Sequence, residues 1–499
     1  MSWPNPFRRR DENTRTAWGY TFQLTPDHLS PERAHPLKHT YDVLGEECYE
    51  ILNQMSSSLT DEEPEQPMAD DDVRSKLVAN PTQQSTVPAN GSIDTNRPMA
   101  PTSKKKRDLY LLLRDHHSSH PKLQELWDEV TTVPSWVDWA QICRGQDVFY
   151  RYGAATLTGL AYQSLLGGMG ANRVVEVLAR TGGFSVKVAR HRLFETTQHI
   201  LECTRSLESI QPGGAGFASS VRVRLLHAAV RRRIMQLSKT RPSYYSVEQY
   251  GIPINDLDCI ATIGTFSATI IYLSLPRQGI FLRRQEIEDY IALWRLIAHY
   301  VGTPTEYFDT PERAKCMMES LLLHEINPSN TSQVLANNII RCLENQPPTF
   351  ASRSFLEVNA RWLNGNDLAD ALGLGRPGPW YWALMAGQCI FFACLCYTYR
   401  SIPALDRRKI RALRAVFWAM IVEGKYGLGG EPTVFEFKYI PELGVIGTAK
   451  GEDEEKKHQA GEVGIERRNL NTLLVATGVL VCAAWLGVKA SSALLGRIL

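Results

Sequence analysis

No Cys-x-x-Cys pair occurs among the ten cysteines of the chain, which argues against a zinc ribbon or a dithiol redox site. The cysteines are scattered, several inside apolar runs, and read as small buried hydrophobes of a reduced compartment. Neither sign of charge dominates. The 55 Lys+Arg and 53 Asp+Glu leave a net charge of +2, which excludes bulk nucleic-acid coating as a function. No G-x-G-x-x-G opens a helix after a strand, and no P-loop, H-E-x-x-H or G-x-S-x-G is present. Gly167-Gly168-Met169-Gly170 follows a helical pattern and reads as a tight connection rather than a phosphate loop. The N-terminal stretch, with Arg8, Arg9 and Arg10, lacks the apolar segment of a secretory signal. Period-two alternation is rare, and residues 434–440 are the one expected strand.

What is present is helical periodicity. From Asp108 to about residue 444, apolar residues recur at helical spacing in segments closed by Gly or Pro. These segments include 174–180, 186–207, 219–237, 260–275 and 286–300. The expectation is an all-α protein with one large helical domain over residues 105–445. Residues 1–104 are expected to be largely disordered apart from one short helix at 40–55. Residues 56–103 in particular are polar and proline-rich, with too little apolar surface to offset chain entropy. A charged linker at 446–469 leads to an uncharged stretch at 470–488, followed by a short tail at 489–499. Nineteen residues at 1.5 Å each come close to a bilayer core, so 470–488 is expected to be a transmembrane tail anchor. Arg467 and Arg468 before it agree with a cytosolic body. The endoplasmic reticulum and the mitochondrial outer membrane both suit such a tail. A second uncharged stretch, 380–399, contains Gln388 and aromatic ends. It reads as a core helix or a membrane-surface element.

Two helical segments carry groups suited to chemistry. In the second of them, His227 has Arg224 three residues before it and Arg231 four after, placing all three on one side of a helix. Two neighbouring alanines leave room for a flat group to approach the ring. Imidazole is a common ligand of metals and of haem iron, and arginines one turn away can pair with carboxylates such as haem propionates. A satisfied core histidine, or a basic face for anionic lipid extending through Arg232, Arg233, Lys239 and Arg241, fits the same pattern. In the first segment, Arg192, Glu195, Thr196 and His199 form one polar stripe at i, i+3, i+4 and i+7. That stripe is either a solvated face or the lining of a pocket. Glu176 stands among Val174, Val175, Val177 and Leu178, where a buried carboxylate would suit a general base and an exposed one an ordinary amphipathic helix.

These residues resemble the ER-bound oxygenase and rubber oxygenase catalytic-domain family, over roughly residues 133–307. The resemblance rests on Arg-Gly-Gln-Asp-Val-Phe-Tyr-Arg-Tyr-Gly at 144–153 and on Arg192-x-x-x-Thr196. It rests also on Arg224-x-x-His227-Ala-Ala-x-Arg231 and on the stretch from Asp256-x-Asp258 to Trp294-Arg295. It implies a globin-like helical core holding haem b, with O2 as co-substrate and His227 as the proximal iron ligand. Arg192 and Thr196 match distal positions, and Glu176 matches a glutamate acting as base. Rubber-cleaving members carry a distal lysine where this chain has Glu195, so the resemblance points away from polymer cleavage. The membrane-bound fungal branch, acting on prenylated small molecules, fits the tail anchor better. The implied activity is oxidative C=C cleavage of a lipophilic, isoprenoid-bearing molecule at the endoplasmic reticulum membrane. No nucleic-acid partner is expected, and the pattern is silent on a reductase. The alternative is a non-catalytic, membrane-anchored module that binds lipid or a partner through its basic helix.

Overall fold

The computed structural model describes residues 10–61, 108–431, 433 and 464–498. Among them the chain is almost entirely helical, with one two-stranded hairpin. Strands β1 (Thr14–Ala17) and β2 (Tyr20–Gln23) pair antiparallel, with Thr14 opposite Gln23 and Ala17 opposite Tyr20. Trp18 and Gly19 between them have φ of 50° and 73°. Two consecutive positive φ values make the tight turn whose twist matches that of paired strands. The expected strand at 434–440 lies outside the described residues.

Helix α1 (Val43–Asp61) follows, then α2 (Leu109–His116), α3 (Pro121–Thr131) and α4 (Trp139–Thr158). Residues 10–61 therefore correct the expectation of a largely disordered N-terminal region. Phe22, Leu29, Cys48 and Leu52 are buried in the body. Short apolar runs separated by polar residues conceal this in the sequence, because each buries its surface against a distant element.

The centre of the body is α4 packed along α9 (Arg284–Tyr300). Between them come α5 (Asn172–Arg180), α6 (Val186–Thr204), α7 (Ala215–Thr240) and α8 (Asp256–Phe266). Trp294, Tyr290, Tyr150, Tyr152 and Phe149 are fully buried in this core, and Trp294 stacks on Phe266 at 4.9 Å. Full burial of such side chains contributes roughly 1.5–3 kcal/mol each. The motif at 144–153 turns out to be a set of clamps. Arg144 grips Asp289 through two hydrogen bonds of 2.9 and 3.0 Å. Gln146 donates to the carbonyls of Cys203 and Ser206. Arg151 reaches Asp406, and Tyr152 donates to Glu286 at 2.7 Å.

The expected segment 260–275 is divided. Helix α8 ends at Phe266 and a π-helical turn resumes at Ile270–Ser274, bent by 42°. The remaining helices are α10 (Pro311–His324), α11 (Asn330–Leu343), α12 (Arg353–Asn364), α13 (Pro379–Ser401), α14 (Pro403–Trp418) and α15 (Ile465–Ile498). Helices α13 and α15 are both long and apolar enough to cross a membrane. Helix α13 is partly buried in the body, whereas the most apolar part of the 23-residue window of α15, Ile465–Gly487, is not. That 23-residue window is roughly 34 Å long at 1.5 Å per residue, enough for a bilayer core.

Candidate active site

Helices α6 and α7 run antiparallel and meet closely at one end. Gly216 of α7 lies against the backbone of Glu202 and Cys203, where an added Cβ would sit 2.7 Å from the Glu202 carbonyl oxygen. Only glycine permits that approach. Cys203 Sγ reaches the Gly216 carbonyl and Ser220 Oγ, both at 3.6 Å. His199 Nδ1 and Ser219 Oγ are hydrogen-bonded at 2.8 Å. Two further helical turns in the same register bring Arg192 opposite His227.

His227 is enclosed by the protein, yet its side chain keeps accessible surface. Its ring has no hydrogen-bond partner among the described residues. Burial, reinforced by the Arg231 charge and more weakly by His199 and Arg192, lowers its pKa to about 4. The imidazole is therefore neutral at physiological pH, the protonation state a metal ligand requires. His199 is likewise held at about 4 by burial, but its ring is engaged by Ser219.

The distal candidates sit on α6. Arg192 Nη1 donates to Glu195 Oε2 at 3.2 Å, and burial lowers the Arg192 pKa. Glu195 also accepts from the Thr433 hydroxyl at 2.8 Å. Gln198, one turn on, makes a reciprocal pair of hydrogen bonds with the Thr433 backbone at 2.9 and 3.1 Å. Residue 433 is thereby tied across α6 beside the candidate residues. Sequence reasoning missed this contact, because it joins positions separated by 235 residues. Thr196 is exposed, and its hydroxyl has no partner among the described residues.

Glu176 lies on the neighbouring helix α5. Helix α5 packs on α7 through Val177 against Val230 and Ile234, but Glu176 Oε2 accepts from Arg180 at 2.6 Å. The carboxylate is half-buried and engaged, not isolated in an apolar setting.

Arg224 and Arg231 require a correction. They are buried as expected, but their hydrogen bonds go to the protein rather than being kept for propionates. Arg224, 3% exposed, makes two bonds of 2.7 Å to Asp42 and one of 2.8 Å to Glu129. Arg231 donates to the carbonyls of Pro253 and Ile254, pairs with Glu46 at 3.4 Å, and lies over the Tyr41 ring. Arg232 pairs with Glu50, and Arg222 with Asp108. Asp42, Glu46 and Glu50 recur every four residues, so the start of α1 and the residue before it lay an acidic stripe along α7. That stripe covers much of the basic face on which a lipid-binding role would rest.

Haem can be tested against these residues at one point. A neutral imidazole without a hydrogen-bond partner among the described residues has the chemistry of an iron ligand. The arginines beside it serve instead to fix α7.

Residues 150–413 match the family described as ER-bound oxygenase mpaB/B′/rubber oxygenase, catalytic domain. That is more than half of the chain, and the chain belongs to this oxygenase family. A rubber oxygenase of Streptomyces sp. (strain K30) is 23% identical over 268 residues, covering 51% of this chain and 61% of the relative. The match thus spans about three fifths of that relative's length. A structure of latex clearing protein in the closed state aligns with a TM-score of 0.47 and 18% identity, covering 59% of this chain and 79% of the other.

Proposed function

We propose that this protein is a haem-dependent oxygenase that cleaves a C=C bond of a lipophilic, isoprenoid-bearing small molecule at a membrane. The observation that carries this reading is His227, held neutral by burial and without a hydrogen-bond partner among the described residues, on the helix opposite Arg192. His227 would hold haem b through its imidazole, and the haem would supply O2 activation.

The chain's own groups then have separable tasks. The Val221–Ala228 side of α7, fixed at Gly216 and by the Arg224–Asp42 pair, holds the imidazole in place. Arg192, oriented by Glu195, supplies positive charge and N–H donors where negative charge develops on oxygen. Thr196 adds a hydroxyl donor on the same side. Glu176 Oε1 is the proton acceptor for an allylic carbon or intermediate, while Arg180 holds Oε2. A carboxylate at Glu195, in place of the lysine of rubber-cleaving relatives, favours a small prenylated molecule over a polymer. The anchor α15 keeps the body beside a membrane in which such a molecule accumulates. The body faces the cytosol, at the endoplasmic reticulum.

The test is spectroscopic. Detergent-extracted protein from haem-replete cells is expected to show a Soret band with stoichiometric iron, and His227→Ala to lose both. Oxygen uptake is expected with prenylated aromatics and not with polyisoprene latex. A colourless, iron-free wild type would overturn the proposal.

A further inference from the structure

The N-terminal turn of α15 is not a loose tether. Asn469, fully buried, donates to Gln388 Oε1 of α13 at 3.3 Å, and Gln388 in turn donates to Asn359 Oδ1 at 3.0 Å. A Cβ on Gly387 would meet the Asn469 carbonyl oxygen at 2.5 Å. The Arg468 guanidinium lies 4.7 Å from the Phe391 ring centroid. Ser352 N–H donates to Glu466 at 2.8 Å, so α12 grips the same turn. A buried, hydrogen-bonded amide ladder across three helices fixes their relation.

The order of these contacts shows that the helices are antiparallel. Arg468 faces Phe391, whereas Leu473 faces Gly387. Continuing the register brings the exposed half of α15, beginning at Leu474, alongside and past the N-terminal end of α13. That end carries Trp380, Tyr381 and Trp382 in succession, and Trp380 is 53% exposed. Arg376, exposed, precedes them by one turn's length of chain. An exposed indole beside an emerging apolar helix, backed by Tyr381 and Trp382 half-buried against the core and by the ion-paired Arg376, has the chemistry of a headgroup-level contact.

From this geometry we infer that the body makes a second, fixed contact with the bilayer through Trp380–Trp382 at the headgroup level of the near leaflet, set by the docking of α15 on α13. This rests on the reading of α15 as the anchor and goes beyond it. The body is then held in one orientation on the membrane, not hung from it.

The test uses the full chain reconstituted in phosphatidylcholine vesicles with acyl chains brominated near the headgroup or near the terminal methyl. Fluorescence attributable to Trp380 is the wild-type signal minus that of Trp380→Phe, and Trp485→Phe isolates the anchor in the same way. The Trp380 component is expected to lose more intensity to shallow bromine than to deep. In Gly387→Leu, and independently in Asn469→Leu, it is expected to lose that quenching while Trp485 stays quenched. A Trp380 component untouched by either lipid, or quenched more by deep bromine, overturns the inference if Trp485 is quenched. So does a Trp380 component that stays quenched in both docking variants. If Trp485 itself is unquenched, the anchor reading fails first.

Discussion

Two flanks of one helix make opposite use of positive and titratable groups. Towards α1, Arg224, Arg231 and Arg232 of α7 all meet carboxylates, and Arg224 holds three charge-assisted bonds. Some 40–60° around the same helix, His227 meets none, and burial strips it of its proton. The saturated flank fixes the helix, and the other is the flank on which the proposed chemistry rests. Sequence spacing alone puts all three residues on one side and does not separate these roles.

The sharpest way to break the contrast is His227→Ala, which is expected to abolish the Soret band and oxygen uptake. Thermal unfolding should still be cooperative. On the other flank, Asp42→Ala leaves Arg224 buried with Glu129 alone and is expected to cost about 3 kcal/mol, by the usual penalty for breaking a buried pair. Denaturant unfolding measures that loss, and haem content per folded molecule should be retained. Arg192→Ala is expected to lower the turnover number about 100-fold, the usual effect of removing one oxyanion donor, with the pigment still bound. His199 gives a pH test. Its folded pKa of about 4 lies below the unfolded value of 6.5. The unfolded chain therefore binds more protons between these values, and the His199 contribution is full above pH 6.5 and lost as pH falls towards 4. His199→Gln should flatten the fall in melting temperature over that window. Smallest of all, Glu50→Ala removes a half-exposed partner of Arg232 and is expected to cost under about 1 kcal/mol.

Much of this was legible in the residues. The helical body, the boundaries of α6, α7 and α9, and the long apolar helix at the C-terminal end follow from period and punctuation. The pairing of Arg192 with Glu195 follows from i, i+3 spacing. What the spacing could not carry was partnership across long separations. Asp42 lies 182 residues from Arg224, and Thr433 lies 238 from Glu195. The hairpin at 14–23 escaped because its alternation is only four residues per strand. Glu176 was read from its apolar neighbours, but a side chain reaching along its own helix to Arg180 found a partner one turn away.

The acidic stripe of Asp42, Glu46 and Glu50 has one more consequence. It lies outside residues 150–413, the part shared with the family, as do Asp108 and Glu129, which complete the set. The stretch recognisable by descent is thus smaller than the stretch that must fold together. A fragment cut at the shared boundary would strand the buried guanidinium of Arg224 without a counter-ion, on the very helix that presents His227.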